Sequence, residues 1–142
     1  MSAQLKFALL LTLSVLSSCD ESFMDSVSDS IVTTDKTSYQ LQENVIVTVD
    51  NKTGEELSYY VCSGCRNAPY MIQKLAGLNW EPVYAPICNG YMSYCCKSIL
   101  ENELFRDTIS WQYFAAGLYR FEYSFQTNEE RKEYYSKVFE VR

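Results

Sequence analysis

The sequence predicts an all-β protein, an antiparallel sandwich of about seven or eight strands with its loops stapled by disulfides. Three observations point there. From Ile31 onward the apolar residues recur with a period of two, as a half-buried strand requires. Turn signals interrupt that alternation at the spacing of short sandwich strands. The residue types are those of strands, since β-branched and aromatic side chains crowd the chain and aromatics alone reach 15%, mostly tyrosine.

Tyr39, Leu41, Val45, Val47 and Val49 share one parity, broken at Glu43-Asn44, and predict two short strands joined by a turn or kink. After Asn51-Lys52-Thr53-Gly54, the residues Leu57, Tyr59 and Val61 continue the pattern. Met71 to Leu75 and Trp80 to Tyr84 flank Ala76-Gly77-Leu78-Asn79 and predict a hairpin. Ser98 to Phe105 is compatible with a helical turn, and Leu104 to Trp111 with a strand. The clearest strand has Tyr119, Phe121, Tyr123 and Phe125 alternating with Arg120, Glu122 and Ser124, one aromatic face and one wet face. Tyr134 to Val141 closes the chain as a last strand.

The amino terminus reads differently. Leu5-Lys6 is followed by the apolar run Phe7 to Val15 and then Leu16-Ser17-Ser18-Cys19. A basic residue, about ten apolar residues and small residues before a cleavage point form an export signal, too short to span a bilayer of about 30 Å. The Leu-small-small-Cys ending resembles the bacterial lipobox. That resemblance implies cleavage before Cys19 and acylation of Cys19, so that two or three acyl chains hold the protein on a membrane at about 0.8 kcal/mol per buried methylene. Residues 1–18 are then a lipoprotein signal peptide, residues 19–30 a lipidated cysteine with an acidic, serine-rich tether, and residues 31–142 one β-sandwich domain. As a flexible coil, Asp20 to Ser30 spans about 18 Å.

The leaflet is left with two opposed readings. Asp20 behind the cysteine resembles an inner-membrane retention signal, whereas Asp20-Glu21 resembles the surface-export signals of Bacteroidota lipoproteins. Asp25-Ser26-Val27, Asp29-Ser30-Ile31 and Asp107-Thr108-Ile109 resemble O-glycan acceptors of that phylum and point to an outer-membrane or cell-surface location. Asn51-Lys52-Thr53 fits an N-glycan sequon but reads more simply as a turn after a strand.

Charge excludes one class of partner. The chain carries 12 Lys and Arg against 18 Asp and Glu, a formal net charge of -6, and losing Lys6 with the signal makes it one unit more negative. Nucleic-acid binding needs a basic footprint, so no nucleic acid is expected as a partner. Anionic lipid headgroups repel such a domain, leaving the acyl chains as its hold on the membrane.

Ala115-Ala116-Gly117-Leu118-Tyr119 resembles the tyrosine corner of immunoglobulin-type domains, in which a small-x-Gly-x-Tyr turn opens the penultimate strand. With Tyr39, the Asn44 to Asn51 run, the Trp80 hairpin and Gly117-Leu118-Tyr119-Arg120, most of the mature chain is similar to small immunoglobulin-like lipoproteins of bacteria, many without an assigned function. The resemblance implies that Tyr119 ties its hydroxyl back to the backbone. Phe121 stands where antibody domains keep a cysteine, which implies a core without the inter-sheet disulfide.

Besides Cys19, five cysteines remain: Cys62, Cys65, Cys88, Cys95 and Cys96. In an exported chain they are disulfide candidates. Adjacent Cys95 and Cys96 strain the peptide if paired with each other; among the remaining arrangements the preferred set is Cys62 with Cys88 and Cys65 with Cys95 or Cys96. A bridge from Cys62 to Cys88 stabilises by roughly 3.5 kcal/mol in the chain-entropy picture. Two alternatives use Cys62-Ser63-Gly64-Cys65. A thiol-redox motif wants a helix after its first cysteine, where this sequence has Pro69 and strand-like surroundings. A tetrathiolate zinc site wants a second spaced pair, where Cys95-Cys96 is vicinal.

The chain contains no histidine. This removes histidine-based nucleophile systems, histidine metal sites and the commonest general base. Glu101, Glu103 and Asp107 lie close in sequence but read as a solvated face, and Arg66, Arg106 and Arg120 are scattered without a phosphate loop. No catalytic residue, metal or cofactor is expected. Trp80, Tyr84, Tyr91 and Tyr94 are compatible with an exposed aromatic patch for sugar or peptide, or with packing across the hairpin and over a disulfide-bound loop. The expectation is a non-enzymatic envelope module that contacts a protein or glycan through Arg66 to Pro69 and Cys88 to Cys96, with Arg66, Asn67, Tyr84, Tyr91 and Tyr94 as contact residues. The alternatives are a thiol-redox or metal-binding protein using Cys62 and Cys65, and a protease inhibitor of immunoglobulin-like type.

Overall fold

The computed structural model describes residues 30–62, 70–85, 94–128 and 130–142, with only the backbone described at Cys62, Tyr94 and Cys95. Among them the chain is all-β, in the order β1 (Val32–Thr34), β2 (Ser38–Tyr39), β3 (Val45–Asp50), β4 (Leu57–Cys62), β5 (Tyr70–Ala76), β6 (Asn79–Tyr84), β7 (Tyr94–Ile99), β8 (Leu104–Ile109), β9 (Gly117–Gln126), β10 (Arg131–Tyr135) and β11 (Phe139–Val141). A single 3-10 turn, Trp111–Tyr113, separates β8 from β9.

Three local expectations need correction. The closing strand is two, because buried Ser136 interrupts it: its N–H donates to Phe121 O and its Oγ accepts from Phe121 N–H, both at 2.9 Å. Ser98 to Phe105 contains no helix. Its ends pair in β7 and β8, and between them Glu103 N–H donates to Leu100 O (3.0 Å) while Leu100 N–H donates to Glu103 Oε2 (2.8 Å), with Asn102 at φ +63°. Leu41 leaves the strand parity of Tyr39, because Gln42 turns the chain at φ +69°, and Leu41 is 53% exposed.

The strands form two sheets. The smaller has the order β1-β3-β8, all antiparallel. The larger is built on β9. On one edge of β9 lie β5, from Tyr70 opposite Tyr123 to Lys74 opposite Tyr119, and then β4, through Ser58 opposite Gln126. On its other edge lie β11 and β10. Outward from these, β6 pairs with β5 and β7 with β4, both antiparallel, while β2 pairs with β11 in parallel. Pro82 sits in β6, an edge strand, where a missing N–H is tolerated.

Both sheets give their buried side chains to one core. Val45, Val47, Val49 and Ile109 come from the small sheet, and Leu57, Ile72, Tyr119, Phe121, Tyr123 and Phe125 from the large one. The alternation of β9 is complete, with every second residue from Tyr119 to Phe125 buried. Tyr59 of β4 meets Phe105 of β8 edge to face at 6.3 Å, and Phe121 stacks on Phe139 at 5.4 Å. Each such ring contributes about 1.5–3 kcal/mol by burial.

Polar groups fix the turns. Asn51 is fully buried, and its Nδ2 donates to Glu55 O (2.8 Å), Ile99 O (2.9 Å) and Leu100 O (3.0 Å). Its Oδ1 accepts from Thr53 N–H (3.2 Å) and Thr53 Oγ1 (2.7 Å). This one amide joins the β3–β4 turn to the β7–β8 turn, and burial leaves it no room for a glycan. Tyr39 works similarly: its hydroxyl donates to Asp35 Oδ1 (2.6 Å), which also accepts from Ile46 N–H (3.1 Å).

Candidate functional site: paired segment ends and a stacked arginine

Of the residues singled out in the sequence, Cys19, Cys65, Arg66, Asn67, Cys88 and Tyr91 lie outside the described residues. The strands that flank them are described, and their register is informative. Cys62 stands opposite Tyr94, Val61 opposite Cys95 and Tyr60 opposite Cys96. Tyr84 stands opposite Ile72, and its ring lies 5.7 Å from that of Tyr70. Residues 63–69 therefore run from β4 to β5, and residues 86–93 run from β6 to β7. Each segment connects the same two strand pairs, β4–β7 and β5–β6, in opposite directions. The ends of the two cysteine-bearing segments are matched: where one leaves a pair, the other enters it.

The surroundings of these ends are aromatic. Tyr84 lies 4.6 Å from Tyr113, and Tyr70 packs on Phe121 (5.8 Å) and Tyr123 (5.7 Å). Burial raises the Tyr70 and Tyr123 hydroxyls far above the ordinary tyrosine range. Tyr60, on the outer side of β4, is 62% exposed, and Cys96 opposite it is also exposed. No group of three or more His, Cys, Asp or Glu among the described residues is arranged to hold a metal.

The carboxylates are used locally. Glu103 caps the β7–β8 turn, Asp107 Oδ1 accepts from Thr108 N–H at 2.8 Å, and Glu101 is exposed in the turn. At the start of β9, Tyr119 accepts from Ala115 N–H (3.0 Å) and donates to Ala115 O (2.9 Å), closing a ring of side chain and backbone. Gly117 opens that strand at φ +150°, and a Cβ there would lie 2.6 Å from Lys74 Cε.

One constellation was not legible in the sequence. Arg120, which reads there as one of several scattered arginines, lies on the outer face of β9 with its guanidinium 4.5 Å from the Trp80 ring and 4.3 Å from the Tyr135 ring. Its Nε donates to Gln73 Oε1 at 2.6 Å, and Gln73 Nε2 donates to Glu122 Oε2 at 2.6 Å. Four strands thus contribute to one column: β6, β5, β9 and β10. Trp80 is half-buried on this outer face and takes no part in the buried core. Burial lowers the Arg120 pKa, and burial with the nearby Glu133 raises that of Glu122. The alternation of β9 announces a wet face, but only strand order says that Trp80 and Tyr135 flank it.

Set against known proteins, the chain matches no family model and no curated sequence.

Proposed function

We propose that this chain is an envelope lipoprotein whose immunoglobulin-like β-sandwich presents a non-enzymatic binding surface for a protein or glycan. The observation that carries the reading is the matched anchoring of residues 63–69 and 86–93. Because the described strand ends that flank the two segments belong to the same two strand pairs, the two segments are read as one recognition surface, as loop-borne recognition is organised on such scaffolds. The register that sets Cys62 opposite Tyr94 and Val61 opposite Cys95 is in keeping with disulfide stapling in an exported protein.

The strand order supports the immunoglobulin-like reading. Its support is a small sheet β1-β3-β8 and a large sheet that includes β2-β11-β9-β5-β6, a parallel pairing of β2 with the last strand, and a tyrosine tied to backbone at the start of β9. β4 and β7 add a ribbon to it. Anchoring through Cys19 rests on the Leu16-Ser17-Ser18-Cys19 sequence, and the acidic charge supports a domain held off the headgroups.

A photo-crosslinking residue placed at Asn67 or at Tyr91 of the full chain in cells tests the binding reading. Covalent adducts with one envelope protein or glycan at both positions, and none with Thr33 on the small sheet, are expected. Absence of adducts at both loop positions, or the same adducts at Thr33, would overturn it.

A further inference from the structure

The outer face of the large sheet is a second surface of a different kind. Leu75 lies opposite Trp80 and Leu118 opposite Glu140, so an apolar row runs across β6, β5 and β9. Val138, just ahead of the Phe139–Tyr119 pair, extends it toward β11. Leu118 and Val138 are 40% and 38% exposed, and Leu78 at the tip of the β5–β6 turn is 94% exposed. Above this row sits the Trp80–Arg120–Tyr135 column.

The charges on this face differ from those of the whole molecule. Arg120, Arg131 and Arg142 alternate with Glu122, Glu133 and Glu140 along β9, β10 and the end of β11, three of each sign. The chain as a whole is at -6. Two copies repel one another through any surface that shares the overall charge, but not through one that is balanced and mixed.

We infer that this face binds a second copy of the chain, sheet face to sheet face about a two-fold axis. Such an axis places the same patch on both partners, so the mixed charges of one face oppose the mixed charges of the other. The size is adequate. Four strands at about 4.8 Å and a ten-residue β9 at about 3.3 Å per residue give a face of about 19 by about 33 Å. That is about 600 Å² in projection and more as accessible surface, the scale of the roughly 800 Å² per partner of a specific interface. The composition is adequate too: Trp, Tyr and Arg are the residues that dominate interface energies, and here they are already ordered by stacking, which lowers the entropy lost on association. The inference is independent of what the 63–69 and 86–93 segments bind.

The test uses the full chain carrying either of two epitope tags, coexpressed, with a photo-crosslinking residue at Leu118 or at Leu104. Leu104 is the control, 64% exposed on the small sheet. A doubly tagged adduct of twice the chain mass is expected from Leu118 and not from Leu104. Equal adducts from both positions, adducts with other proteins only, or no adduct would each overturn the inference. In sedimentation equilibrium of the purified chain, Leu118→Asp should raise the dimer Kd tenfold or more while circular dichroism stays native. A native Leu118→Asp variant that dimerises like the parent would also overturn it.

Discussion

Asn51 offers the sharpest perturbation of the fold. Its amide satisfies the carbonyls of Glu55, Ile99 and Leu100 while its oxygen holds Thr53, and the residue is fully buried. Asn51→Ala removes at once the two amide N–H donors that these three carbonyls share. With a penalty of about 1–3 kcal/mol for each group left unpaired, and some recovery by water at the turn, the expected loss is about 2–4 kcal/mol. Asn51→Asp keeps the shape but replaces the donor by a carboxylate facing three carbonyl oxygens. At neutral pH it should cost more than the alanine variant, by about 1.4 kcal/mol for each unit its pKa is raised. The sign with pH follows. A carboxyl raised in the folded state favours its protonated form there, so the deficit is greatest above the folded pKa and shrinks as pH falls toward about 4. Urea unfolding of both variants at pH 7 and pH 4.5 measures this. Asn51→Asp no less stable than Asn51→Ala at pH 7, or a deficit independent of pH, would refute the reasoning.

Other outcomes follow from the same contacts. Tyr39, Tyr70 and Tyr123 are buried with raised pKa values, and burial with a hydrogen bond to Glu133 pushes Tyr135 up to about 12. Their neutral forms favour the fold, so stability is intact below pH of about 10 and falls as pH rises toward the folded values. Absorbance at 295 nm should show exposed tyrosines ionising first and the rest together with loss of circular dichroism; a single smooth titration near pH 10 with a native spectrum would contradict this. Tyr119→Phe removes both hydroxyl bonds to Ala115 and should cost about 1–2 kcal/mol in urea unfolding. Gly117→Ala places a side chain at φ +150° against Lys74 and should cost about 1–3 kcal/mol by the same assay. Arg120→Lys loses the planar stack between Trp80 and Tyr135 and should lower the thermal midpoint by a few degrees, corresponding to about 1 kcal/mol.

Much of the fold is written locally and some of it is not. The period of two gives β3, β4 and β9 because one face of each is buried, and alternation carries that fact in the residues themselves, whereas β5 and β6 are legible from the turn that joins them. The break at Ser136 is invisible, since a small polar residue reads as ordinary until Phe121 is known to lie across from it. Leu41 misleads because its parity is right while the left-handed Gln42 removes it from the strand. The helical turn with which Ser98 to Phe105 is compatible does not form, and Asn51, distant in sequence, holds the Ile99 and Leu100 carbonyls of that turn. The proposed loop-borne site rests on composition, on the cysteines and tyrosines of two segments. That these segments join the same strand pairs was not legible, because it depends on β4 pairing with β7 across the intervening hairpin. The Arg120 column depends in the same way on strand order.

The central proposal is that this all-β chain is exported and that disulfides link its first cysteine cluster, Cys62 and Cys65, to its second, Cys88, Cys95 and Cys96. Trypsin cuts after Lys52, Arg66, Lys74 and Lys97, so Thr53–Arg66 carries Cys62 and Cys65 while Leu75–Lys97 carries Cys88, Cys95 and Cys96. Mass spectrometry of an unreduced digest of the protein purified from membranes should find these two peptides joined by disulfides and separated by reduction. Two unlinked peptides with free thiols, or each closed only within itself, would contradict the account.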